Sequence, residues 1–115
     1  MISVYHLDWR AIKPDALVTL QVGSSEERIS TVQAAWAAGQ YQHVADVPTN
    51  NLDTAWMRTN TIEQPWYLID DGTVQPKVKI ARSSSVGDVF VQGPNYHIAD
   101  MIGFVEVTGL KLSGK

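Results

Sequence analysis

The sequence has no cysteine. Disulfide frameworks, thiolate metal sites, iron–sulfur clusters and cysteine nucleophiles are therefore excluded. Long apolar runs are also missing. No stretch approaches the roughly 18 residues of a membrane-spanning helix, and Met1–Tyr5 lacks the basic start of a signal peptide. Charge is sparse, with nine Lys and Arg against twelve Asp and Glu and a formal net charge of -3. A nucleic-acid binder draws much of its affinity from a basic stripe, and a DNA mimic would need a dense array of carboxylates. The balance here favours neither nucleic acid nor a membrane surface.

What is present is a 44% hydrophobic content in 115 residues, too apolar for a disordered chain. That length suits one core, which buries about 65% of the unfolded surface without a metal or disulfide staple. The expectation is a single cytoplasmic domain over residues 1–110, with residues 111–115 as a tail.

Ile2 and Val4 alternate with Ser3 and Tyr5 near the start, which predicts a strand running to about Trp9. Lys13-Pro14-Asp15 marks a turn, and Ala16–Val22 suits either a short strand or a helical turn. Ser24 and Glu27 have the spacing of a capping box. Behind them Ile29, Val32, Ala35 and Trp36 form an apolar stripe, so a helix is predicted from Ser24 to a stop at Gly39. Tyr41–Val47 alternates as a strand, and Asn50 or Asn51 caps a second helix, Leu52–Asn60. Asp71-Gly72 is a turn dipeptide that would connect Trp66–Ile69 to Val74–Ala81 as a hairpin. Within the latter, Lys77 and Lys79 would share a solvated face opposite Val78 and Ile80. Val86–Phe90, Tyr96–Ala99 and Phe104–Val107 complete the strands, with Gly93-Pro94-Asn95 as a tight turn. Two helices among about six strands predict an α+β domain with a strongly bent or partly barrel-like antiparallel sheet.

No catalytic constellation is visible. His6, His43 and His97 fall in separate predicted strands and lack the spacing of a helical metal pair; three unrelated, half-exposed histidines are expected. Ser83-Ser84-Ser85 offers hydroxyls but no G-x-S-x-G, and Ser85 with Asp88 suits a side-chain-stabilised turn. Asp70 and Asp71 would point to opposite faces of a strand, and no phosphate-binding glycine loop is present. The aromatic residues stand out, with four Trp and four Tyr. Trp36 and Trp56 lie on apolar stripes and are assigned to the core. Trp9, beside Arg10 at a strand end, is the best exposed anchor, because Trp and Arg dominate interface hot spots.

The run Arg82-Ser-Ser-Ser-Val-Gly-Asp-Val-Phe-Val91, followed by Tyr96-His-Ile-Ala-Asp-Met-Ile-Gly-Phe-Val-Glu-Val107, resembles the YodL-like family. These are small domains encoded largely on plasmids, conjugative elements and phages. Ser83, Ser85, Val86, Asp88 and Val89 match the family's first element, and Tyr96, Asp100, Gly103 and Phe104 its second. Upstream, Leu52–Asn60 and Pro65-Trp66 fit the segment that leads into the serine motif. Tyr5 and Tyr41 fall where its early strands carry aromatics. The likeness covers about Leu52–Val107 and departs at Gly87, a position often serine, and at Met101-Ile102. It implies an accessory role for a mobile element inside a bacterial cell, without a defined activity.

Three functions follow as expectations. The first is a non-enzymatic protein-interaction module that engages a host or element-encoded protein, with an anti-defence or host-takeover inhibitor as its specific form. The second is a nucleic-acid-associated module using Lys77, Lys79, Arg82 and a stacking Trp. The third is a small-ligand pocket or enzyme built around Arg58, Asn60, Arg82 and Ser83–Ser85. The residues expected to bind are Trp9, Arg10, Arg58, Asn60, Trp66, Arg82, Ser83, Ser85 and Asp88. No catalytic residue, metal or cofactor is implied, and an unpaired edge strand would suit a homodimer.

Overall fold

The computed structural model describes residues 1–61 and 64–111. The chain forms strand β1 (Ile2–Leu7), helices α1 (Pro14–Val22) and α2 (Ser25–Ala37), strand β2 (Tyr41–Val47) and helix α3 (Leu52–Arg58). Then come a 3₁₀ turn (Trp66–Leu68) and strands β3 (Gln75–Pro76), β4 (Val89–Gln92), β5 (Asn95–Ala99) and β6 (Phe104–Val107). The strands make one open sheet in the order β3-β2-β1-β4-β5-β6, antiparallel at every pairing. This is a small α+β domain whose sheet does not close into a barrel.

Strand alternation sends side chains to two covered faces. Ile2, Val4, Val44, Phe90 and Trp66 build one core beneath α3 and the 3₁₀ turn, while Leu7, Leu20, Val32, Val89 and Ile98 build the other beneath α1 and α2. Because both faces are covered, the strands need more large apolar side chains than a half-exposed sheet would. The aromatic residues meet that need. Trp36 packs on Tyr5, Tyr41 and Tyr96 at centroid distances of 5.1, 5.2 and 5.8 Å, and Trp56 lies 6.3 Å from Phe90.

The predicted helix α2 forms for the predicted reason. Glu27 N–H donates to Ser24 Oγ at 3.1 Å, and the Glu27 carboxylate accepts from Ser24 N–H at 2.9 Å. Asn51 caps α3 by accepting from Thr54 N–H at 3.0 Å. Ala16–Val22 resolves as helix. Pro14 opens it at a position where a missing N–H costs nothing, so the described residues form three α-helices rather than two.

Buried Arg28 ties α1 to α2. Its guanidinium donates to Leu20 C=O at 2.7 Å and to Gly23 C=O at 3.0 Å, carbonyls at the end of α1, and pairs with Asp100. A cation at a helix C-terminus satisfies orphan acceptors and complements the dipole.

The predicted hairpin across Asp71-Gly72 is replaced by a different arrangement. Trp66–Leu68 forms a 3₁₀ turn, and only Gln75–Pro76 joins the sheet, beside β2. The buried Trp66 indole donates to Arg82 C=O at 2.9 Å, so the segment is drawn onto the core instead of pairing as a strand. Residues 77–82 are irregular, although Val78 still packs inward and Lys77 and Lys79 stay exposed. Asp71 bonds Thr73 N–H at 3.0 Å within a turn. In the expected tail, residues 112–115 lie outside the described residues.

Candidate functional site

β4 begins two residues too late to pair with the end of β1. Tyr5 faces Val89 across the ladder, which leaves Leu7 without a strand on its β4 side. A side-chain pair fills the gap. Leu7 N–H donates to Asp88 Oδ1 at 2.9 Å, and Leu7 C=O accepts from Arg82 Nη2 at 2.8 Å. The guanidinium also grips Asp88 through two further bonds, each of 2.7 Å. Ser85 N–H donates to Asp88 Oδ2 at 2.7 Å, and Asp88 N–H donates to Ser85 C=O at 3.0 Å, which closes the expected turn. Asp88 is 0% exposed. A carboxylate removed from water in this way persists because a bidentate Arg and two backbone donors satisfy it.

The same guanidinium lies 4.0 Å from the centre of the Trp9 ring, an attractive cation–π distance. Trp9 is 40% exposed. Behind the pair, His6 Nε2 meets Ser84 Oγ at 2.9 Å, Ser84 Oγ meets Thr59 Oγ1 at 2.7 Å, and Asn60 donates to Ser84 C=O at 2.6 Å. Burial drives the His6 pKa down to about 4; Asp88 opposes that shift and Arg82 adds to it. The ring is thus neutral at pH 7. Burial, followed by the Asp88 charge, also pushes the Tyr41 phenol well above its ordinary value, and its hydroxyl donates to Gly87 C=O at 2.7 Å.

Serine, histidine and aspartate meet here, but not as a nucleophile relay. In such a relay the carboxylate holds Nδ1 while the serine sits on Nε2. Here Ser84 and Asp88 both approach Nε2, Asp88 at 3.8 Å. Ser84 is 2% exposed. The chain of hydroxyls is a satisfied buried network that locks α3 to β1. His43 bonds Asp46 at 2.8 Å and stacks on Tyr5, so the three histidines do not converge. Among the described residues no cluster of three or more His, Asp or Glu is placed to hold a metal ion.

Above this network lies a cleft of about 770 Å³, lined by His6, Trp9, Arg10, Gln40, Tyr41, Gln42, Ile80 and Arg82 among others. Of the residues expected to bind, Trp9, Arg10 and Arg82 converge on it. Arg10 is held loosely by Asp8 at 3.4 Å; the partner of the Trp9 ring is Arg82, not the adjacent Arg10. Asp88 positions Arg82 from below. Trp66 is buried, so it supports the site rather than contacting a ligand. Arg58 bonds Thr73 C=O at 3.3 Å, Asn60 serves the Ser84 network, Ser83 is exposed and Ser85 is half-buried in the turn. Among the grouping Arg58, Asn60, Arg82 and Ser83–Ser85, Arg82 is the residue that lines the cleft.

No protein-family model, curated protein or solved structure matches the chain. Among the described residues no helix is long and apolar enough to cross a membrane.

His6, Ser84 and Tyr41 are individually visible in the sequence, but nothing local brings them to one place. His6 carried a signal, since it shares strand parity with Ile2 and Val4 and must face the same core. Ser84 carried a fainter one, as the middle of three consecutive serines between an exposed Ser83 and the turn at Ser85.

Proposed function

We propose that this chain is a non-enzymatic protein-interaction module whose binding face is the Trp9–Arg10–Arg82 cleft. With the YodL-like resemblance added, the reading is an accessory protein of a phage or plasmid. It would engage a host or element-encoded protein in the bacterial cytoplasm. The observation that carries this reading is the convergence of Arg82 with the sequence-distant pair Trp9 and Arg10 on one concave surface. Trp, Arg and Tyr are the residues that concentrate binding energy at interfaces. Arg82 is already immobilised by Asp88, Leu7 and Ser83, so little rotamer entropy remains to be lost on association.

A test is capture from bacterial lysate on the immobilised full chain, on Trp9→Ala and on Arg10→Glu. The wild type is expected to retain a stoichiometric protein that both variants retain about tenfold less, as for a hot spot worth over 1 kcal/mol. Equal retention on all three surfaces, or recovery of nucleic acid alone, refutes the reading. A cleft within the roughly 300–1,000 Å³ range of ligand sites keeps a small-ligand site as the second reading. A metabolite that co-purifies with the wild type and is absent from Trp9→Ala would favour it.

A further inference from the structure

The floor of the cleft meets an unfinished sheet edge. β3 pairs only with Ala45 and Asp46 of β2, and Lys77 N–H adds one bond to Val44 C=O at 2.8 Å before the chain leaves the sheet. Among the described residues the first half of β2 thus has no neighbouring strand on its outer side. Orientation follows from the opposite ladder. Leu7 turns its N–H and C=O toward Asp88 and Arg82, away from β2. Its cross-strand partner Tyr41 must therefore turn its own groups away from β1. His43 shares that parity, while Gln42 between them faces His6. Among the described residues no hydrogen bond reaches the backbone N–H or C=O of Tyr41 or His43 from the outer side. Four polar groups are thereby presented with the spacing of a strand.

The surroundings select what could pair there. A residue placed opposite Gln42 would turn its side chain to the Gln42 face, into the cleft near Ile80, which is 76% exposed. That position takes an apolar side chain. Arg10 at the cleft is balanced by Asp8 at 3.4 Å, but Lys79, next to the cleft residue Ile80, is exposed with no ion pair among the described residues. Lys13 lies in an adjoining concavity that shares Ala11 and Gln40 with the first.

We propose that an extended, acidic segment of a partner protein adds as a strand to the outer edge of β2 at Tyr41–His43, with one apolar side chain seated in the cleft. Main-chain bonds supply affinity in this mode, and the alternate side chains supply specificity. The inference deepens the interaction-module reading and rests on it.

The experiment is selection of random heptapeptides displayed on phage against the full chain, followed by titration of the selected peptides into ¹⁵N-labelled protein. Enriched peptides are expected to carry Asp or Glu around a central apolar residue and to slow exchange of the Tyr41 and His43 amides. N-methylation of either peptide amide that bonds the edge should weaken binding about tenfold, and of the amide between them less than about twofold. Lys79→Glu should weaken the same peptides.

Peptides that shift Trp9 and Arg82 signals but leave the Tyr41 and His43 amides unprotected would overturn strand addition while the interaction-module reading stands. Failure of any sequence to enrich above the blank surface overturns strand addition, and the lysate capture then judges the module separately. Concentration-dependent dimerisation of the chain with protection at Tyr41 and His43 would assign the edge to a second copy and overturn the proposal.

Discussion

Replacing Asp88 with alanine should be among the most damaging single changes in the protein. The carboxylate accepts from Arg82 twice and from the N–H groups of Leu7 and Ser85. Its removal leaves two backbone donors without partners, each costing about 1–3 kcal/mol when buried. It also leaves a guanidinium without its counter-charge, and breaking a buried pair from one side costs about 3–5 kcal/mol. These losses overlap, and Arg82 remains partly open to water, so the expected cost is about 3 kcal/mol. Against a total stability of about 5–15 kcal/mol, that is a large share. Asp88→Asn keeps one acceptor and should cost about 2 kcal/mol. Arg82→Met should be as harmful as Asp88→Ala, because it strands a buried carboxylate. Urea denaturation of the two single variants and of Asp88→Asn/Arg82→Met measures the coupling, expected at about 2 kcal/mol. Tryptophan emission should also shift as Trp9 loses its cation. An Asp88→Ala loss under about 1 kcal/mol, or a double variant equal to the sum of its parts, would refute the claim that this pair substitutes for a missing strand.

Two further outcomes follow from the buried groups. Because His6 titrates near 4 when folded and near 6.5 when unfolded, the unfolded chain binds more protons between those values. Stability should therefore fall as pH drops through that window, by at most about 3 kcal/mol. His6→Gln should flatten this part of the profile, and an identical slope in urea titrations from about pH 7 to about pH 4.5 would rule out His6 as the cause. Gly87 has φ +93°, and a Cβ there would sit 3.1 Å from a Leu20 methyl, so Gly87→Ala should cost about 2–3 kcal/mol. Gly39, also left-handed but facing open space, should lose only about 1 kcal/mol on the same change, and equal thermal shifts for the two would contradict the packing argument.

Local signals in the sequence carried much of the fold. The capping box of Ser24 and Glu27, the Asn51 cap, the strand parity of Ile2 and Val4, and the Gly93-Pro94 turn each act over a few residues, and each formed as read. The segment from Trp66 to Arg82 did not. Its pattern suits a hairpin, yet burying the Trp66 indole against Arg82 C=O outweighs two exposed strands. That choice depends on a core assembled from distant residues.

The site divides in the same way. Trp9 and Arg10 were legible as a pair because adjacent residues need no fold to be neighbours, and Ser85 with Asp88 was legible as a turn of four residues. The pairing of Trp9 with Arg82, the capture of Leu7 by Asp88 and the line from His6 through Ser84 to Thr59 were not legible. They join positions up to 81 residues apart and exist only because β1 outruns β4. By itself the sequence determined a cysteine-free α+β domain with its helix ends, its turns and an aromatic-rich core, since propensity, capping and alternation are local forces. Tertiary structure alone decided which charges are buried together and which strand edge stays open, because those depend on where distant segments stop relative to one another.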